Sequence, residues 1–531
     1  MPDGQSPHPK WIRAAALSDL RARGRILAKM EGHHIALFAG DGDDVWACDN
    51  RCPHEGYPLT EGHLAEGCIL TCNWHNWKFD LSNGETLVGG DAVRRYPVRI
   101  EGADVLVDIA DEPPAAIAAK ALAGLHASFD EHEYGRMARE IARLERTGAD
   151  PLDALRETLL WTHDRFEYGT THAVAAAADW LALRDEAAGS PGEKLTALVE
   201  AVGHFAWDSR RQPAYPYPAG SEPYDADALV QAIEDEDEAR AVALIRGGVQ
   251  AGLGFDDFEE ALARAALAHY QDFGHSLIYV YKTGQLAKRL GEAAVLESLL
   301  LMLVRSLIFA SREDLIPEFK AYAGALAAWD GTGDVRPTTE DLRAHGVAHV
   351  LKAMVAGSGD VMALYDEAVA AAGWQMARYD LAYQNHVDKS VSNNVGWLSF
   401  THTLTFANAV RKICGKYPAL WPAGLLQIGC FLGRNAGFVD KACDPTEYAV
   451  ADASGFIAEQ KRALFDHGNP EFIVSAHLVK LVTAVAEELG ERPDAPWGAA
   501  VLTAVNRFFN SPLKRKHALR AANQALAQLD G

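Results

Sequence analysis

The sequence predicts a multidomain chain: a small antiparallel all-β domain over residues 1–112, then a large all-α domain over residues 113–531. Three observations predict it. Short β-rich runs alternate with turn formers through the first 110 residues. After Ala115 alanine and leucine dominate, and apolar residues recur at three and four. Between them stands Asp111-Glu112-Pro113-Pro114, whose paired prolines stop a strand or helix from running through.

Taken in order, the strand-like runs are Arg25–Met30, His34–Ala39, Val45–Cys48, Cys68–Thr71, Lys78–Leu81 and Val105–Ile109. Asp41-Gly42-Asp43, Asn83-Gly84, Gly89-Gly90 and Glu101-Gly102 supply turns between them. Helical periodicity follows in Ala138–Leu144, Leu152–Trp161, Leu195–Val202, Phe258–His269, Glu297–Ala310 and Leu478–Leu489. Pro151 behind Asp150 reads as a first-turn proline after a capping aspartate. Glu297–Ala310 is apolar on nearly every face, which predicts a central helix. Pro213–Tyr224, with four prolines and three tyrosines, reads as an ordered loop or lid. Glu234–Glu238 reads as a solvated, acidic helix start.

Fifty basic against seventy-three acidic residues give a net charge of −23, which argues against nucleic acid and anionic membrane as partners. No apolar run approaches the roughly 18–20 residues that span a bilayer, and the polar N-terminus resembles no secretion signal. A soluble, cytoplasmic protein is expected.

Four of the seven cysteines lie within 25 residues, at 48, 52, 68 and 72. Cys52-Pro53-His54 and Cys72-Asn73-Trp74-His75 each offer one thiolate and one imidazole on a short loop. Two such loops face to face can hold a [2Fe–2S] cluster, with Cys52 and Cys72 on one iron and His54 and His75 on the other. The rival is a structural zinc on Cys48, Cys52, Cys68 and Cys72. Cys48 and Cys68, however, fall within strand-like runs and read as core residues.

Around these ligands the sequence resembles the Rieske iron–sulfur family over roughly residues 10–112. The resemblance rests on Cys-Pro-His-Glu-Gly-Tyr-Pro-Leu at 52–59, Cys-Asn-Trp-His-Asn-Trp-Lys-Phe-Asp at 72–80, the Asn83-Gly84-Glu85 turn and Tyr96-Pro97-Val98. Asn76 departs from it, standing where the family usually has glycine. The resemblance implies a one-electron carrier with an external electron donor, a reductase or ferredoxin. High-potential members place hydroxyls where this chain has Trp77 and Phe79, and paired cysteines where it has Tyr57 and Trp74. With fewer donors to stabilise the reduced state, the lower part of the family's range of about −150 to +300 mV is expected, as in the ferredoxin-like and oxygenase-like type.

The helical part has no acid–x2–His–x4–His iron motif: Asp272 and His275 begin one, but position 280 is Val280. It carries fourteen of the twenty histidines. Two stretches share a histidine–acid–aromatic–glycine–histidine order: His163, Glu167, Tyr168, Gly169, His172, and His269, Asp272, Phe273, Gly274, His275. Glu200 and His204 pair at i, i+4, as do His345 and His349; His402 sits in an apolar stretch. Helices that turn such groups inward build non-haem iron or other metal sites. His163, Glu167, His172, Glu200, His204, His269, Asp272, His275 and His402 are therefore candidates for a second metal or acid–base site, with Gln384, Asn393 and Asn394 near His386 as added polar groups. Trp161, Trp207, Tyr270 and Tyr279 are candidate walls for an apolar or aromatic substrate. Leu159–Lys282 also resembles, loosely, the questin-oxidase-like family, which implies metal-free acid–base work by the histidines.

The expected function is a redox enzyme whose cluster passes single electrons from an external reductase to a helical domain that oxidises or oxygenates a small organic substrate. Two alternatives stand beside it. One is a non-catalytic electron-transfer or redox-sensing protein with a partner-binding helical domain; the other is a metal-free helical oxygenase with a regulatory cluster.

Overall fold

The structure, a computed structural model, describes residues 9–187, 189–210, 212–387, 395–514 and 516–529. The chain parts into two compact units, Met1–Ala154 and Leu155–Gly531. As the sequence predicts, antiparallel sheets fill the first hundred residues and helices the rest. Among the described residues no helix is long and apolar enough to cross a membrane.

The first unit holds ten strands: β1 (Trp11–Ala16), β2 (Arg25–Met30), β3 (His33–Ala39), β4 (Val45–Asp49), β5 (His63–Ala65), β6 (Ile69–Thr71), β7 (Lys78–Asp80), β8 (Thr86–Val88), β9 (Val98–Glu101) and β10 (Asp104–Asp108). They form three sheets, ordered β1-β10-β9, β2-β3-β4 and β5-β6-β7-β8. β3 divides two cores by its period of two. Ile35 and Leu37 join Val105, Val107 and Tyr96 on one side. Ala36 and Phe38 join Leu70, Phe79, Cys48, Cys52 and Cys72 on the other. The second core is thus built around the cysteines.

Pro114 opens a helix, Pro114–Asp130, as its first residue, where a missing N–H costs nothing. It and the helix Tyr134–Arg146 belong with the β unit. The tie is Asp91: its carboxylate is wholly buried and meets Arg136 at 2.9 Å, Arg139 at 2.7 Å and Arg143 at 3.3 Å.

In the second unit the apolar Glu292–Ile308 helix is buried along almost its whole length. The proline-rich segment is extended and anchored: Tyr217 donates to the His163 carbonyl (2.9 Å), and the Arg305 guanidinium lies 3.8 Å from the Tyr217 ring centre. The acidic stretch ends one helix at Glu234 and starts another behind the Asp237 cap.

Candidate metal centres

The two cysteine loops of the first unit are near copies in backbone terms. Cys52 N–H donates to the Tyr57 carbonyl (2.9 Å), and Gly56 N–H returns to the Cys52 carbonyl (2.8 Å). Cys72 N–H donates to the Trp77 carbonyl (2.7 Å), and Asn76 N–H returns to the Cys72 carbonyl (3.0 Å). In each loop the residue four beyond the cysteine is left-handed: Gly56 at φ +77°, Asn76 at φ +59°. Asparagine is one of the few side chains that tolerates this region, which explains the departure at position 76.

These turns bring the four expected ligands together. The Cys52 and Cys72 thiols are buried and touch; burial first, then each other's proximity, pushes Cys52 up to about 11. The His54 and His75 rings stand 4.7 Å apart at 74°. His54 stacks on Trp77 at 4.6 Å, and His75 is 42 % exposed beside Glu55, whose carboxylate is 3.8 Å from Nδ1. Trp74, 60 % exposed, stacks on Tyr57 at the rim. Two soft sulfurs inside and two imidazoles at the rim fit a [2Fe–2S] group and leave its histidine edge open to a redox partner. Cys48 lies in the core, its thiol pushed up by burial, and Cys68 faces Asp80, so neither joins the pair as a third or fourth thiolate.

The second unit assembles a different group. Four helices pack in a ring: His172–Glu186, His275–Leu290, Trp397–Lys416 and Phe472–Glu491, each touching the next and the last touching the first. Each supplies one imidazole: His172, His275, His402 and His477. His275 Nε2 is 3.2 Å from His172 Nε2, and His477 Nε2 is 3.0 Å from His402 Nε2. On the ring's other two sides the centroids of His275 and His402 are 4.3 Å apart and those of His172 and His477 are 4.9 Å apart; across it, those of His172 and His402 are 6.1 Å apart.

Local structure fixes these rings. His172 and His275 are each the first residue of a helix. Thr171 caps the first, accepting from Ala173 N–H (3.2 Å) and donating to Asp208 (2.6 Å). The second follows a strained turn in which Asp272, Phe273 and Gly274 all have positive φ (47°, 41° and 79°). That turn aims the Asp272 carbonyl at His275 Nδ1 (2.5 Å), while Ile473 C=O accepts from His477 Nδ1 (2.6 Å). A carbonyl cannot donate, so Nδ1 carries the proton in both rings and Nε2 presents a lone pair inward.

All four imidazoles are held neutral. Burial, then the nearby Lys480 charge, lowers His275 to about 3. Burial likewise drives His172, His402 and His477 well below the ordinary histidine value. Two nitrogens on one ion at bonds of about 2.0–2.1 Å stand roughly 3.0–3.4 Å apart at angles of 90–109°. The two Nε2 pairs have that spacing. His275 keeps 13 % of its side-chain surface exposed, so the ring borders open space. Tyr279 hydroxyl reaches His172 Nδ1 (3.4 Å), and the buried Lys480 amine has no hydrogen-bond partner among the described residues.

Of the residues expected from sequence, His172, His275 and His402 meet here, with Asp272 contributing its backbone carbonyl. The others make their contacts elsewhere. His163 is stacked on Tyr217 and bonded to the Leu160 carbonyl, and Glu167 is beside Tyr168. His269 pairs with Glu234 (2.7 Å) and Asp314. Glu200 faces His467 (3.2 Å) rather than His204, which meets Asp208 (3.5 Å). Of the candidate aromatic walls Tyr279 adjoins the ring, Trp207 lies 6.3 Å from Phe472, and Tyr270 is packed among Phe319, Tyr322 and Phe431. Gln384 bonds Tyr379 (3.2 Å); Asn393 and Asn394 lie outside the described residues. His477 was missed. Its signal was polar residues at 477, 480, 483 and 487, spaced by three and four along a helix otherwise read as apolar.

Comparison with known proteins bears on the first centre. Residues 10–97 match the family model of the Rieske [2Fe-2S] domain. The ferredoxin component of the naphthalene 1,2-dioxygenase system of Pseudomonas putida is 34 % identical over 102 residues, 19 % of this chain and 96 % of that protein. The 4beta-methylsterol monooxygenase of Methylococcus capsulatus is 36 % identical over 102 residues, 17 % of this chain and 27 % of that protein. Among solved structures, the ferredoxin of carbazole 1,9a-dioxygenase from Nocardioides aromaticivorans IC177 is 29 % identical, covering 19 % of this chain and 97 % of its own, with a TM-score of 0.18. Each of these likenesses spans about a fifth of the chain.

Proposed function

The chain belongs to the Rieske [2Fe–2S] family through residues 10–97, and from that premise we propose a self-contained oxidoreductase. Its first unit takes single electrons from an external reductase or ferredoxin. Its helical unit spends them, with dioxygen, on oxidising or oxygenating a small organic substrate at one metal ion held by His172, His275, His402 and His477. The observation that carries this reading is the four-helix ring of buried, neutral imidazoles, in which the His172–His275 and His402–His477 Nε2 pairs are 3.2 and 3.0 Å apart and ligand atoms of His172, His275 and His402 all lie within 4.8 Å of one another. Four imidazoles suit iron, copper or zinc; a one-electron supply leaves out redox-inert zinc, and iron is the metal this reading takes.

A [2Fe–2S] group on Cys52, Cys72, His54 and His75 supplies one electron at a time and breaks no bonds. The chain's own contributions are positional. Trp77 and Phe79 give that site no hydroxyl donor, which supports a low potential. The Asp272 and Ile473 carbonyls hold two imidazoles in the ligating tautomer. Tyr279 offers a hydroxyl at the ring. A second reading, in which the acceptor is another protein, draws on the exposed Trp74 and His75 at the rim.

Metal content separates the two readings. The full chain should hold three irons per molecule; His477→Ala should hold two while keeping the anisotropic electron-paramagnetic signal of the reduced cluster. Cys52→Ser or His75→Ala should abolish that signal and spare the third iron. A parent chain with only two irons and no other metal sinks the first reading and leaves the second.

A further inference from the structure

Beyond the histidine ring, three of its four helices continue as a polar ladder. His275, Tyr279, Lys282 and Gln285 follow one another at three and four along His275–Leu290. His477, Lys480, Thr483 and Glu487 do so along Phe472–Glu491, and Asp179 stands seven residues after His172 on the third helix. These stripes face each other. Lys282 Nζ donates to Asp179 Oδ1 (2.8 Å) and to Gln285 Oε1 (3.1 Å), and it stands 4.0 Å from Glu487 Oε1. Thr483 donates to the same Asp179 oxygen (2.7 Å). Glu487 accepts from Tyr281 (2.9 Å) and Gln285 (3.0 Å). Asp179 and Lys282 are buried, whereas Glu487 is 27 % exposed. The ladder therefore begins at the surface and ends two helical turns from the ring, with Lys480 filling the turn between.

A buried ion pair is a poor way to stabilise a core; well-packed apolar residues do as well or better. This one is also incomplete: Asp179 Oδ2 and Lys480 Nζ are the ladder members' buried polar atoms without partners among the described residues. A network kept for stability alone would close there.

We propose that Glu487, Lys282 and Asp179 form a proton relay from the surface to the four-histidine ring, a role that rests on reading the ring as an oxygen-using centre. Reduction of dioxygen to water takes up one proton per electron (O2 + 4 e− + 4 H+ → 2 H2O), and enclosed neutral imidazoles have none to spare. In each transfer a Lys282 N–H bond breaks as an O–H bond forms on Asp179. Glu487, protonated from bulk water, returns a proton to the Lys282 amine. The Asp179 O–H bond then breaks as an N–H bond forms on the neutral form of the Lys480 amine in the turn next to the ring, so one proton enters for each delivered and no electron moves along the ladder.

The charges facing each member favour inward travel. Burial raises the Asp179 carboxyl, with Lys282 and Thr483 opposing and Glu487 adding to the rise. Burial works against the Glu487 charge too, but Lys282, Gln285, Tyr281 and Lys412 outweigh it and hold that carboxyl low. The inner carboxyl thus holds a proton more readily than the one at the mouth. Lys480, held down to about 8 by burial, feels Asp179, Lys282 and Asp272.

The test uses the full, metal-loaded chain, reduced with dithionite and mixed with oxygenated buffer in H2O and D2O between pH 6 and 9. Glu487→Gln and Asp179→Asn should each slow reoxidation at least tenfold with metal content unchanged. The solvent isotope effect should increase, and added imidazole buffer should restore the rate of Glu487→Gln. A second readout needs no metal: in the apo chain the infrared carboxyl band lost in Asp179→Asn should titrate at lower pH in Glu487→Gln. Rates within twofold of the parent, or slowing without rescue or isotope effect, overturn the relay, as does an unmoved band. A parent chain that takes up no metal in its helical unit overturns the underlying reading and the relay with it.

Discussion

Asn76 shows how much one residue can carry. It holds the left-handed position that Gly56 holds in the twin loop, and its N–H closes the turn onto Cys72. A β-branched side chain there should cost about 1–2 kcal/mol. Asn76→Val is expected to lower the thermal midpoint of the first unit and to shed visible absorbance on heating before the parent does; Asn76→Gly should match the parent. Thermal scans followed at visible wavelengths check both. In the sequence Asn76 stood out as a departure; its conformation was not legible, because φ at one loop residue is set by the neighbours that close the turn.

At the scale of elements, the sequence told strands from helices well and joined them poorly. The runs at 25–30, 34–39, 45–48, 78–81 and 297–310 are visible from local periodicity, which is a property of neighbours in sequence. The histidine ring is not local: its members come from four helices separated by 75 to 127 residues, so only packing brings them together. Repeated histidine–acid–aromatic–glycine–histidine stretches pointed to His172 and His275 but equally to His163 and His269, which lie one loop earlier and face elsewhere. What distinguishes the true pair is the glycine before each. Gly169 is left-handed, and a Cβ there would meet the Met302 carbonyl oxygen at 2.2 Å; at Gly274 it would meet Phe406 at 2.7 Å. Gly169→Ala cannot be relieved by a rotamer change because the obstacle is backbone. It should destabilise the helical unit by roughly 2 kcal/mol or more and reduce its metal content, while the [2Fe–2S] absorbance stays. Urea unfolding with metal analysis measures this.

For the whole molecule the burial of so many neutral imidazoles sets an acid limit. His172, His275, His402, His477 and His204 all have folded values far below their unfolded value near 6.5. Their contribution to stability is complete above pH 6.5 and drains away as pH falls toward about 3, because only the unfolded chain takes up the protons. Asp208 and Asp272, raised to about 6 and about 7 chiefly by burial, work in the opposite sense over pH 7 to 4. Burial raises Asp179, Glu140 and Glu313 in the same sense but less far, so over pH 6.5 to 5 the five rings outweigh the carboxyls. The metal-free chain should therefore lose stability between pH 7 and pH 5, by roughly 1.4 kcal/mol per pH unit for each unbalanced proton. Urea midpoints across that range give the slope, and a flat profile would contradict the burial of these rings.

The order in which the ring is assembled has a consequence for biosynthesis. Its last member is residue 477, about 300 residues after the first, so the chain through that point must leave the ribosome before the circle of helices can close. The iron–sulfur module, complete by residue 154, is free to fold long before. On the proposed reading a nascent chain would own its electron carrier well ahead of the destination for its electrons, and a prematurely terminated one would keep the carrier without ever gaining the destination.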